Sequence, residues 1–397
     1  MFNKLNRTKV FRDPLYGYIE VDYEVISDLI DSKELQRLRR IRQLSGVSMV
    51  FHTAEHSRFT HSLGAYQMAN IVLKDVTGSE KLSEYEHLLF LVSALLHDIG
   101  HGPYSHAFEQ VLTVSHEEMT SRIILNPYTD VHKILAKHSV LPEDVAKIID
   151  HKSNYKRIEK LVSSELDVDR MDYLSRDAYF TGATYGTIDR NRLLRSMIIT
   201  DDDVVVKASG VHSVESYLMS RYHMYFQVYY HPVSRSYELL LENIYKRIKD
   251  MYDNNMYIDA EIEDFLAVLK DEYNIDSYLN LDDAYVNGFI KQLTKSNDKV
   301  LNFLANSFMN RNLYHYFEVD EYHPSVEVEK NLPYFYNETT ASGSAYLGKN
   351  GSDIKMLLDD GRIMKLIDYS KVISSLKDSS YKTVKRIYYF NKDEIEA

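Results

Sequence analysis

The sequence predicts a mainly α-helical fold with a smaller α+β region at its C-terminal end. From residue 25 to about residue 248, apolar residues recur mostly at helical spacing. Glycine and proline breaks at residues 46, 100–103, 126–127 and 182–186 divide this stretch into several helices. A hydrophobic fraction of 44% over 397 residues is enough to supply a large core. We therefore expect a helical region over residues 1–248 and an α+β region over residues 249–397.

Short segments of alternating polarity predict the strands. YIEVDYEV (18–25) and DDDVVVKASG (201–210) predict strands or small hairpins beside the helices. Later in the chain, IKMLLDDGRIMKLI (354–367) predicts two strands around an Asp-Gly turn, and RIYYF (386–390) predicts another strand. The polar, glycine-containing segment 337–352 predicts a mobile loop. Segments such as AEIEDFLAVLKDEY and YVNGFIKQLT predict shorter helices in this second region.

Composition limits the functional classes that remain open. The chain has no cysteine, which excludes disulfides, zinc-thiolate sites and cysteine nucleophiles, so any metal ion must be held by histidine and carboxylate side chains. A net charge of -12 disfavours general binding to nucleic acid or anionic membranes, because like charges repel. The N-terminus lacks a signal-peptide pattern and no run of 18 apolar residues occurs, so we expect a cytoplasmic protein.

A basic segment, KELQRLRRIRQL (33–44), predicts an amphipathic helix. Its apolar stripe consists of Leu35, Leu38, Ile41 and Leu44. Another face of the helix carries, at helical spacing, Gln36, Arg39 and Gln43. Taken alone, this pattern is typical of a solvated surface helix.

The stretch LLHDIGHGPYSH (95–106) ends an apolar helix in groups that bind metals. His97 and Asp98 are neighbours, so their side chains diverge by about 100° on a regular helix. Both can reach one ion only if it lies beside the final turn. Gly100 and Gly102 suit a helix end, after which the chain can bend back and bring later histidines towards the same space.

Two further segments offer partners for this pair. His61 lies in EHSRFTHSLG (55–64), at the start of another helical stretch, and Asp169 lies in ELDVDRMDYLSRDAYF (165–180). Carboxylates on an apolar helix face are costly to bury unless they are paired or bind a metal. Two histidines and two aspartates form a reasonable site for Mn²⁺, Fe²⁺, Mg²⁺ or Zn²⁺, with positions left for water and substrate.

The ordered set His61, His97-Asp98 and Asp169 resembles the H...HD...D signature of HD-domain phosphohydrolases. The surrounding sequence is more specific. It resembles the deoxynucleoside triphosphate (dNTP) triphosphohydrolases, which include bacterial enzymes and the vertebrate enzyme that joins a SAM domain to an HD domain. The resemblance is carried by FRDPLYGYIE, QRLRRIRQL, HSRFTHSLG, LLHDIGHGPYSHAFE, DVDRMDYLSRDAYFTG and SRYHMYFQVYYHPVSR. It extends from about residue 9 to about residue 237, returns at residues 311–317, and implies an HD-domain helical core over residues 1–248.

The resemblance implies two groups of residues at the reaction centre. The implied metal ligands are His61, His97, Asp98 and Asp169. The implied residues for acid-base work and phosphate contact are His106, Glu109 and His116. The chemistry agrees, because a divalent cation polarises the α-phosphate and a histidine titrates in the range needed to protonate the leaving 5'-oxygen.

The resemblance also implies a substrate site. Cationic donors are needed because a single dication cannot neutralise a triphosphate, and the matching positions are Arg58, Arg170 and Arg221. His101 would act on the phosphates or support the metal ligands. The positions implied to hydrogen-bond the 3'-hydroxyl are Gln43 and Asp177. The positions implied to exclude a 2'-hydroxyl or to stack on the base are Leu44, Tyr173 and Tyr229.

Members of this family bind a guanine nucleotide as an allosteric activator between subunits. The matching positions are Lys9, Val10, Asp31, Gln36, Arg39, Arg311 and His315. His315 departs from the vertebrate enzyme, which has lysine there. Because Gln43 and Leu44 would continue the helix that carries Arg39, effector binding could position the substrate end of that helix.

The resemblance therefore implies an enzyme that cleaves a dNTP into deoxynucleoside and inorganic triphosphate. It further implies a homo-oligomer, expected to be a tetramer, that is activated by GTP or dGTP. The C-terminal region would support oligomerisation and the effector site. An alternative is an HD-domain phosphohydrolase acting on nucleoside monophosphates, cyclic nucleotides or nucleic-acid ends. That alternative needs the same metal ligands but not the three arginines together.

Overall fold

The computed structural model describes residues 2–319, 332–341, 353–378 and 384–396, and most of these residues are helical. The helices in chain order are α1 Glu24–Ile30, α2 Lys33–Arg37, α3 Arg58–Asp75, α4 Glu84–Leu96, α5 His106–Glu109, α6 His116–Leu125, α7 Asp130–Lys137, α8 Pro142–Ile149, α9 Lys156–Val162, α10 Val168–Thr181, α11 Arg190–Ser196, α12 Val211–Met224, α13 Pro232–Asp253, α14 Glu263–Lys270, α15 Ile275–Asn280, α16 Asp283–Leu293, α17 Lys299–Asn310, α18 Leu366–Tyr369, α19 Lys371–Asp378 and α20 Lys392–Glu396. Short 3₁₀ turns occupy Leu38–Arg40, Val47–Met49, Ser79–Lys81, Thr184–Gly186 and Ala208–Gly210, and a π-helical turn occupies Tyr225–Tyr229.

The mainly α-helical class predicted from the sequence is confirmed. Among the described residues, every helix is too short or too polar to cross a lipid bilayer.

The strands form three small sheets. They are β1 Lys4–Asp13, β2 Gly17–Tyr23, β3 Met197–Ile199, β4 Val204–Lys207, β5 His315–Glu318, β6 Tyr336–Ala341, β7 Lys355–Leu357, β8 Ile363–Lys365 and β9 Val384–Tyr389. The first sheet is the β1-β2 hairpin, the second has the order β3-β4-β7-β8, and the third has the order β5-β9-β6. The strands predicted near residues 18, 204, 355, 363 and 386 are all present.

The predicted loop at residues 337–352 is partly wrong. Residues 337–341 belong to β6, which pairs antiparallel with β9 from Tyr336 opposite Tyr389 to Ala341 opposite Val384. The backbone hydrogen bonds of this ladder keep the segment in an extended strand, although its polar side chains are typical of a loop. Residues 342–352 lie outside the described part of the chain.

Helix α4 is the centre of the helical core. Its apolar side chains from residue 88 to residue 96 are all buried, because α3, α8 and α9 pack around it. A capping box fixes its start, in which Ser83 and Glu86 exchange side-chain to backbone hydrogen bonds. The helix ends at Leu96 with His97 as the capping residue. The end of the apolar helix therefore presents His97 and Asp98 at the edge of the core.

Helix α10 packs against α3 and carries the other half of the site. The Asp167 side chain accepts a hydrogen bond from the backbone N–H of Arg170 and so fixes the first turn, where Asp169 lies. The helix ends at Gly182, which adopts a left-handed conformation with φ 72°.

The C-terminal region is tied to the helical core by two elements. Helix α13 packs on both α5 and α17, and the predicted division at residue 248 falls inside it. Strand β7 pairs in parallel with β4, so that Val206 lies opposite Met356. Apolar side chains from both regions form one continuous buried cluster.

The predicted helix over residues 33–44 is wrong in its second half. Helix α2 ends at Arg37, a 3₁₀ turn follows, and Ile41 is extended with φ -119° and ψ 120°. Residues 41–43 instead pair with residues 56–58, where the Gln43 N–H donates to the His56 carbonyl (2.9 Å). The Arg42 N–H donates to the buried carboxylate of Asp283 (3.0 Å), which stabilises this extended segment. Gln43 and Leu44 therefore do not continue the helix that carries Gln36.

We expect Gly100→Ala to destabilise the protein by about 1–3 kcal/mol, because a well-packed position would gain a methyl group. A Cβ at Gly100 would lie 2.3 Å from both the His116 carbonyl oxygen and the Thr120 nitrogen at the start of α6. Denaturant unfolding measures the change. Gly288→Ala is the control, because a Cβ at this exposed position in α16 meets no atom within 4 Å. Equal stability of the wild-type and Gly100→Ala proteins would show that α6 does not need this close approach.

Candidate active site

The structure brings the four predicted metal ligands together where α3, α4 and α10 meet. The Nε2 atoms of His61 and His97 lie 3.2 Å apart. Asp169 Oδ1 lies 3.1 Å from the first and 3.4 Å from the second, and Asp98 Oδ1 lies 3.4 Å from His97 Nε2. The exposed fraction of the side chains rises from 0% at His61 to 11% at His97 and 28% at Asp169. The cluster therefore opens to solvent on the side of the first turn of α10.

The donor set fits a divalent cation. Burial lowers the pKa of His61, but hydrogen bonds and charges from Asp169 and Asp172 raise it to about 10. Burial also lowers the pKa of His97, while Asp98 and Asp169 raise it above its ordinary value. The raised pKa values mean that the neighbouring carboxylates favour a proton on each imidazole. A metal cation that replaces these protons would be stabilised by the same charges. The mixture of nitrogen and oxygen donors suits Mn²⁺, Fe²⁺ or Zn²⁺ better than it suits Ca²⁺, which prefers oxygen ligands alone.

A buried ionic chain supports His61 from behind. His61 donates from Nδ1 to Asp172 Oδ2 (2.8 Å), which leaves Nε2 facing the cluster. Arg176 donates to both carboxylate oxygens of Asp172 (2.9 Å each) and to Asp13 Oδ2 (2.9 Å). The Tyr16 hydroxyl donates to Asp172 Oδ1 (2.8 Å). Hydrogen bonds of this kind fix the tautomer and orientation of a metal-binding histidine.

Gly64 makes room for this chain. It lies three residues after His61 on α3, on the face that packs against α10. A Cβ at Gly64 would lie 2.1 Å from Asp172 Oδ1 and 2.3 Å from Arg176 Nη2. None of these supporting residues was predicted from the sequence. The available signal was the spacing of Asp169, Asp172 and Arg176, which places charges on successive turns of one apolar helix.

Asp98 also faces a second group of polar side chains. Arg58 donates to Asp98 Oδ2 (2.5 Å), and Asp98 Oδ1 lies 3.4 Å from His101 Nε2. Burial would raise the pKa of Asp98, yet His97, His101 and Arg58 hold it well below its usual range. Asp98 therefore remains a carboxylate that connects the predicted metal ligands to the predicted phosphate contacts.

His101 and His116 stack beside Asp98. Their ring centroids lie 3.9 Å apart with an interplanar angle of 14°. His116 donates from Nδ1 to Glu109 Oε1 (2.7 Å). Burial and the Arg58 charge hold the pKa of His101 well below its usual value. Burial also lowers the pKa of His116, but Glu109 and Asp98 raise it above the ordinary value, so His116 is the better proton carrier of the two. The backbone of His106 begins α5, but its side chain lies outside the described part of the structure.

All three predicted phosphate-contacting arginines are paired with carboxylates, and Arg58 has Asp98 as its partner. Arg170 donates to the carbonyl of Ser164 and to the carboxylate of Asp167. Arg221 donates from Nη1 to Glu165 Oε2 (2.6 Å). The sequence analysis did not identify the carboxylate partners of Arg170 and Arg221, although both carboxylates lie in the acidic segment ELDVD (165–169).

Asp177, a predicted contact of the 3'-hydroxyl, lies between the predicted residue Tyr229 and His56. The Tyr229 hydroxyl donates to Asp177 Oδ2 (2.7 Å), and His56 Nε2 lies 2.8 Å from Asp177 Oδ1. The ring of Tyr173 lies 6.3 Å from the ring of Tyr229 and 6.4 Å from the imidazole of His61, measured between centroids. The aromatic pair thus joins Asp177 to the predicted metal ligands. The sequence analysis missed His56.

Gln43 and Leu44 enter the site region from the extended segment that follows α2. The side chain of Leu44 is buried. The Gln43 Oε1 atom is also buried, and within the described ranges it accepts no hydrogen bond. A buried acceptor without a donor is costly, so a ligand hydroxyl at this point would be favoured.

Five of the predicted effector residues lie around α1, α2 and β1. Lys9 donates to Asp31 (2.8 Å), and Val10 is 55% exposed on the same strand. Arg39 donates to Gln36 Oε1 (2.8 Å), as the helical spacing predicts. These residues present one polar, partly exposed surface.

The other two predicted effector residues contact different partners. Arg311, at the end of α17, donates to the carbonyl of Met49 (3.0 Å). His315 lies on β5, 3.1 Å from Glu394 of α20. Within a single chain, these two residues therefore belong to the C-terminal region, whereas the other five predicted effector residues lie around α1, α2 and β1.

Arg37 connects α2 directly to the turn that follows Asp98. Its side chain is almost wholly buried and donates from Nη1 to the His101 carbonyl (2.8 Å) and from Nε to the Leu281 carbonyl (2.9 Å). The sequence analysis assigned no role to Arg37. A basic residue between two apolar positions of a short helix was the available signal.

Known proteins resemble this chain in both sequence and fold. Residues 58–177 match the HD domain, and residues 188–330 match the HD associated region. The uncharacterized protein YwfO of Bacillus subtilis is 38% identical over 97% of this chain and 93% of the relative. A deoxynucleoside triphosphate triphosphohydrolase SAMHD1 homolog of Dictyostelium discoideum is 28% identical over 81% of this chain and 62% of the relative. The crystal structure of a phosphohydrolase from Bacteroides thetaiotaomicron superposes with a TM-score of 0.84 at 27% identity, covering 97% of this chain and all of that one.

Replacing Asp172 by Asn should weaken Mn²⁺ binding by roughly 10- to 100-fold, the usual effect of losing an outer hydrogen-bond partner of a metal-binding histidine. The substitution removes the negative charge that faces both His61 and Arg176. Isothermal titration calorimetry on the metal-free protein measures the affinity.

Tyr16→Phe is the matched control for Asp172→Asn. It removes one hydrogen bond to Asp172 but leaves the carboxylate in place, so we expect a smaller loss of affinity. Circular dichroism establishes that both variants are folded. Unchanged Mn²⁺ affinity in a folded Asp172→Asn variant would contradict the role of Asp172 in orienting His61.

Proposed function

We propose that this chain, which belongs to the HD-domain family that includes YwfO of Bacillus subtilis, hydrolyses a dNTP to deoxynucleoside and inorganic triphosphate. The HD domain identifies the chain as an HD-domain phosphohydrolase. The observation that carries this proposal is the convergence of His61, His97, Asp98 and Asp169, with the buried guanidinium of Arg58 bonded to Asp98. The four side chains suit a divalent cation, and the guanidinium suits a polyanion.

In the proposed reaction, a water oxygen attacks the α-phosphorus and the bond from that phosphorus to the 5'-oxygen breaks. A divalent cation held by the four ligands would polarise the phosphoryl oxygen and favour deprotonation of the water. The 5'-oxygen leaves with a proton, and His116 is the proposed donor. The support for this role is its bond to Glu109, which fixes the ring and keeps its pKa above the ordinary value. Glu109 is thus proposed to position the proton donor.

The proposed phosphate contacts are Arg58, Arg170 and Arg221. Arg58 is buried, and it touches Asp98, so a guanidinium lies directly beside the predicted metal ligands. Arginine offers several N–H donors in a fixed plane, which suits phosphate oxygens. His101 is proposed to contact the phosphates as a neutral imidazole, because its pKa is held well below the usual value.

The proposed recognition of deoxyribose uses hydrogen bonds and an aromatic wall. Gln43 Oε1 is a buried acceptor, and Asp177 lies between His56 and Tyr229, so both are proposed to bind the 3'-hydroxyl. Tyr173, Tyr229 and Leu44 are proposed to fill the space that a 2'-hydroxyl would need. A buried polar group left without its partner is costly, which gives such a site its selectivity.

We also propose nucleotide activation and assembly as a homotetramer. The proposed effector surface contains Lys9, Val10, Asp31, Gln36 and Arg39, and a second subunit would supply Arg311 and His315. GTP or dGTP is the proposed activator. Arg37 offers a physical connection, because it belongs to α2 and holds the His101 carbonyl.

The first test is to separate the products after incubation of the pure protein with Mn²⁺ or Mg²⁺ and each dNTP, with and without GTP or dGTP. We expect deoxynucleoside and intact triphosphate from the wild-type protein, and loss of at least about 100-fold in rate after chelation or in His97→Ala, since the cation supplies several kcal/mol. His212→Ala is the control, because this histidine is exposed near the start of α12.

The products decide between the candidate reactions. Nucleoside monophosphate and pyrophosphate, or no turnover of any dNTP, would contradict the triphosphohydrolase activity. Turnover of a monophosphate or cyclic nucleotide instead would support another HD-domain phosphohydrolase activity.

Arg39→Ala tests the proposed activator site. We expect this variant to lose most of the rate increase that GTP or dGTP produces, while the rate without activator changes little. The physical reason is the loss of a guanidinium that bonds to Gln36 on the proposed effector surface. Arg362→Ala removes an exposed arginine in the β7-β8 hairpin and serves as the charge-matched control. Full activation of Arg39→Ala would remove α2 from the proposed effector site.

A further inference from the structure

We propose that the carboxylate of Glu165 competes with the substrate phosphates for Arg221, so that this one residue limits the affinity of the site for a triphosphate. The inference rests on the proposed function, in which Arg221 is a phosphate contact. It goes beyond that function by identifying a residue that sets substrate affinity without contacting the metal ligands.

The pair between Arg221 and Glu165 is short and buried. Arg221 Nη1 lies 2.6 Å from Glu165 Oε2, and the two side chains are only 10% and 5% exposed. The Tyr217 hydroxyl donates to the Glu165 carbonyl (3.2 Å), one turn before Arg221 on α12. The backbone of Glu165 is thus held at the same face of α12 as the guanidinium. Both charged side chains are therefore held in place, unlike those of a mobile ion pair on the surface.

The pair lies next to the proposed phosphate site. The groups that act electrostatically on Arg221 are Tyr173, Arg170, Tyr217 and Glu165. The Tyr173 ring in turn lies 6.4 Å from the His61 imidazole, and Asp169 is among the charges that act on Tyr173. In the proposed function, the phosphates extend from the side of Asp169 to Arg221, where they meet the Glu165 carboxylate.

Two physical effects make Glu165 an opponent of phosphate binding. Its carboxylate occupies the Nη1 donor of Arg221, so a phosphate oxygen must displace it to use that donor. If the phosphate uses the other guanidinium donors, the carboxylate remains as a nearby negative charge in a region of low dielectric constant. Both effects weaken the binding of a polyanion. Removing the carboxylate leaves a buried Arg221 charge without its partner, and an incoming phosphate then stabilises that charge.

Glu165 is a cleaner test of this idea than Asp167, which also pairs with an arginine. The Asp167 side chain caps α10 by accepting from the Arg170 N–H, so its replacement would disturb the helix that carries Asp169. Glu165 precedes the capping residue and has no part in the cap.

The experiment compares wild type with Glu165→Gln, which keeps the shape of the side chain and removes its charge. We expect the affinity for inorganic tripolyphosphate, measured by calorimetry without turnover, to rise roughly tenfold, a modest change for a close pair of charges. The KM for a dNTP should fall by a similar factor. Glu143→Gln removes an exposed carboxylate in α8 and should change neither value. Unchanged or weaker tripolyphosphate binding in Glu165→Gln would overturn the proposal and assign Glu165 the role of holding Arg221 in place.

Two further readouts keep the test decisive. If Glu165→Gln is unstable, it is purified in tripolyphosphate, which should raise its Tm by more than it raises the Tm of the wild-type protein. An equal increase in Tm for both proteins would overturn the proposal. If neither protein hydrolyses any dNTP, the proposed reaction fails, but the binding of tripolyphosphate still decides the role of Glu165.

Discussion

The buried chain of His61, Asp172, Arg176 and Asp13 is the interaction on which the candidate site depends. It joins α3, α10 and β1 through charged groups that are almost fully removed from water. Buried ion pairs of this kind often contribute little net stability, because the cost of desolvation offsets the attraction between the charges. Their value here lies in geometry. The chain fixes the Nδ1 side of His61 and so directs Nε2 towards His97 and Asp169.

The core supports this arrangement with elements that cannot easily shift. Helix α4 is surrounded by α3, α8 and α9, so the end that bears His97 is fixed by packing on all sides. Helix α10 is fixed at its first turn by the Asp167 cap and approaches α3 closely at Gly64. The predicted metal ligands thus lie in α3 and α10 and directly after α4, three helices whose separation is set by close-packed side chains.

Patterns that are local in sequence were readable in advance, and contacts between distant segments were not. Apolar spacing predicted the helical class, and it also predicted that an apolar helix ends at His97-Asp98. The extended backbone at Ile41 was not predictable, because it depends on Asp283, which lies 242 residues away along the chain. The same holds for Asp172 and Arg176, whose respective partners Tyr16 and Asp13 come from the distant β1-β2 hairpin. The carboxylate partner of Arg221 was hidden for a similar reason, since residue 165 meets residue 221 only after α10 and α12 have packed.

Arg37 has a consequence for how the sequence can vary. Its two acceptors, at residues 101 and 281, are backbone carbonyl groups rather than side chains. Every amino acid supplies such a carbonyl, so substitutions at these two positions leave the acceptors themselves intact. The connection between α2 and the turn after Asp98 therefore depends on one side chain, that of Arg37. Residue 281 can therefore vary without losing its carbonyl, whereas loss of the arginine at residue 37 breaks both contacts at once.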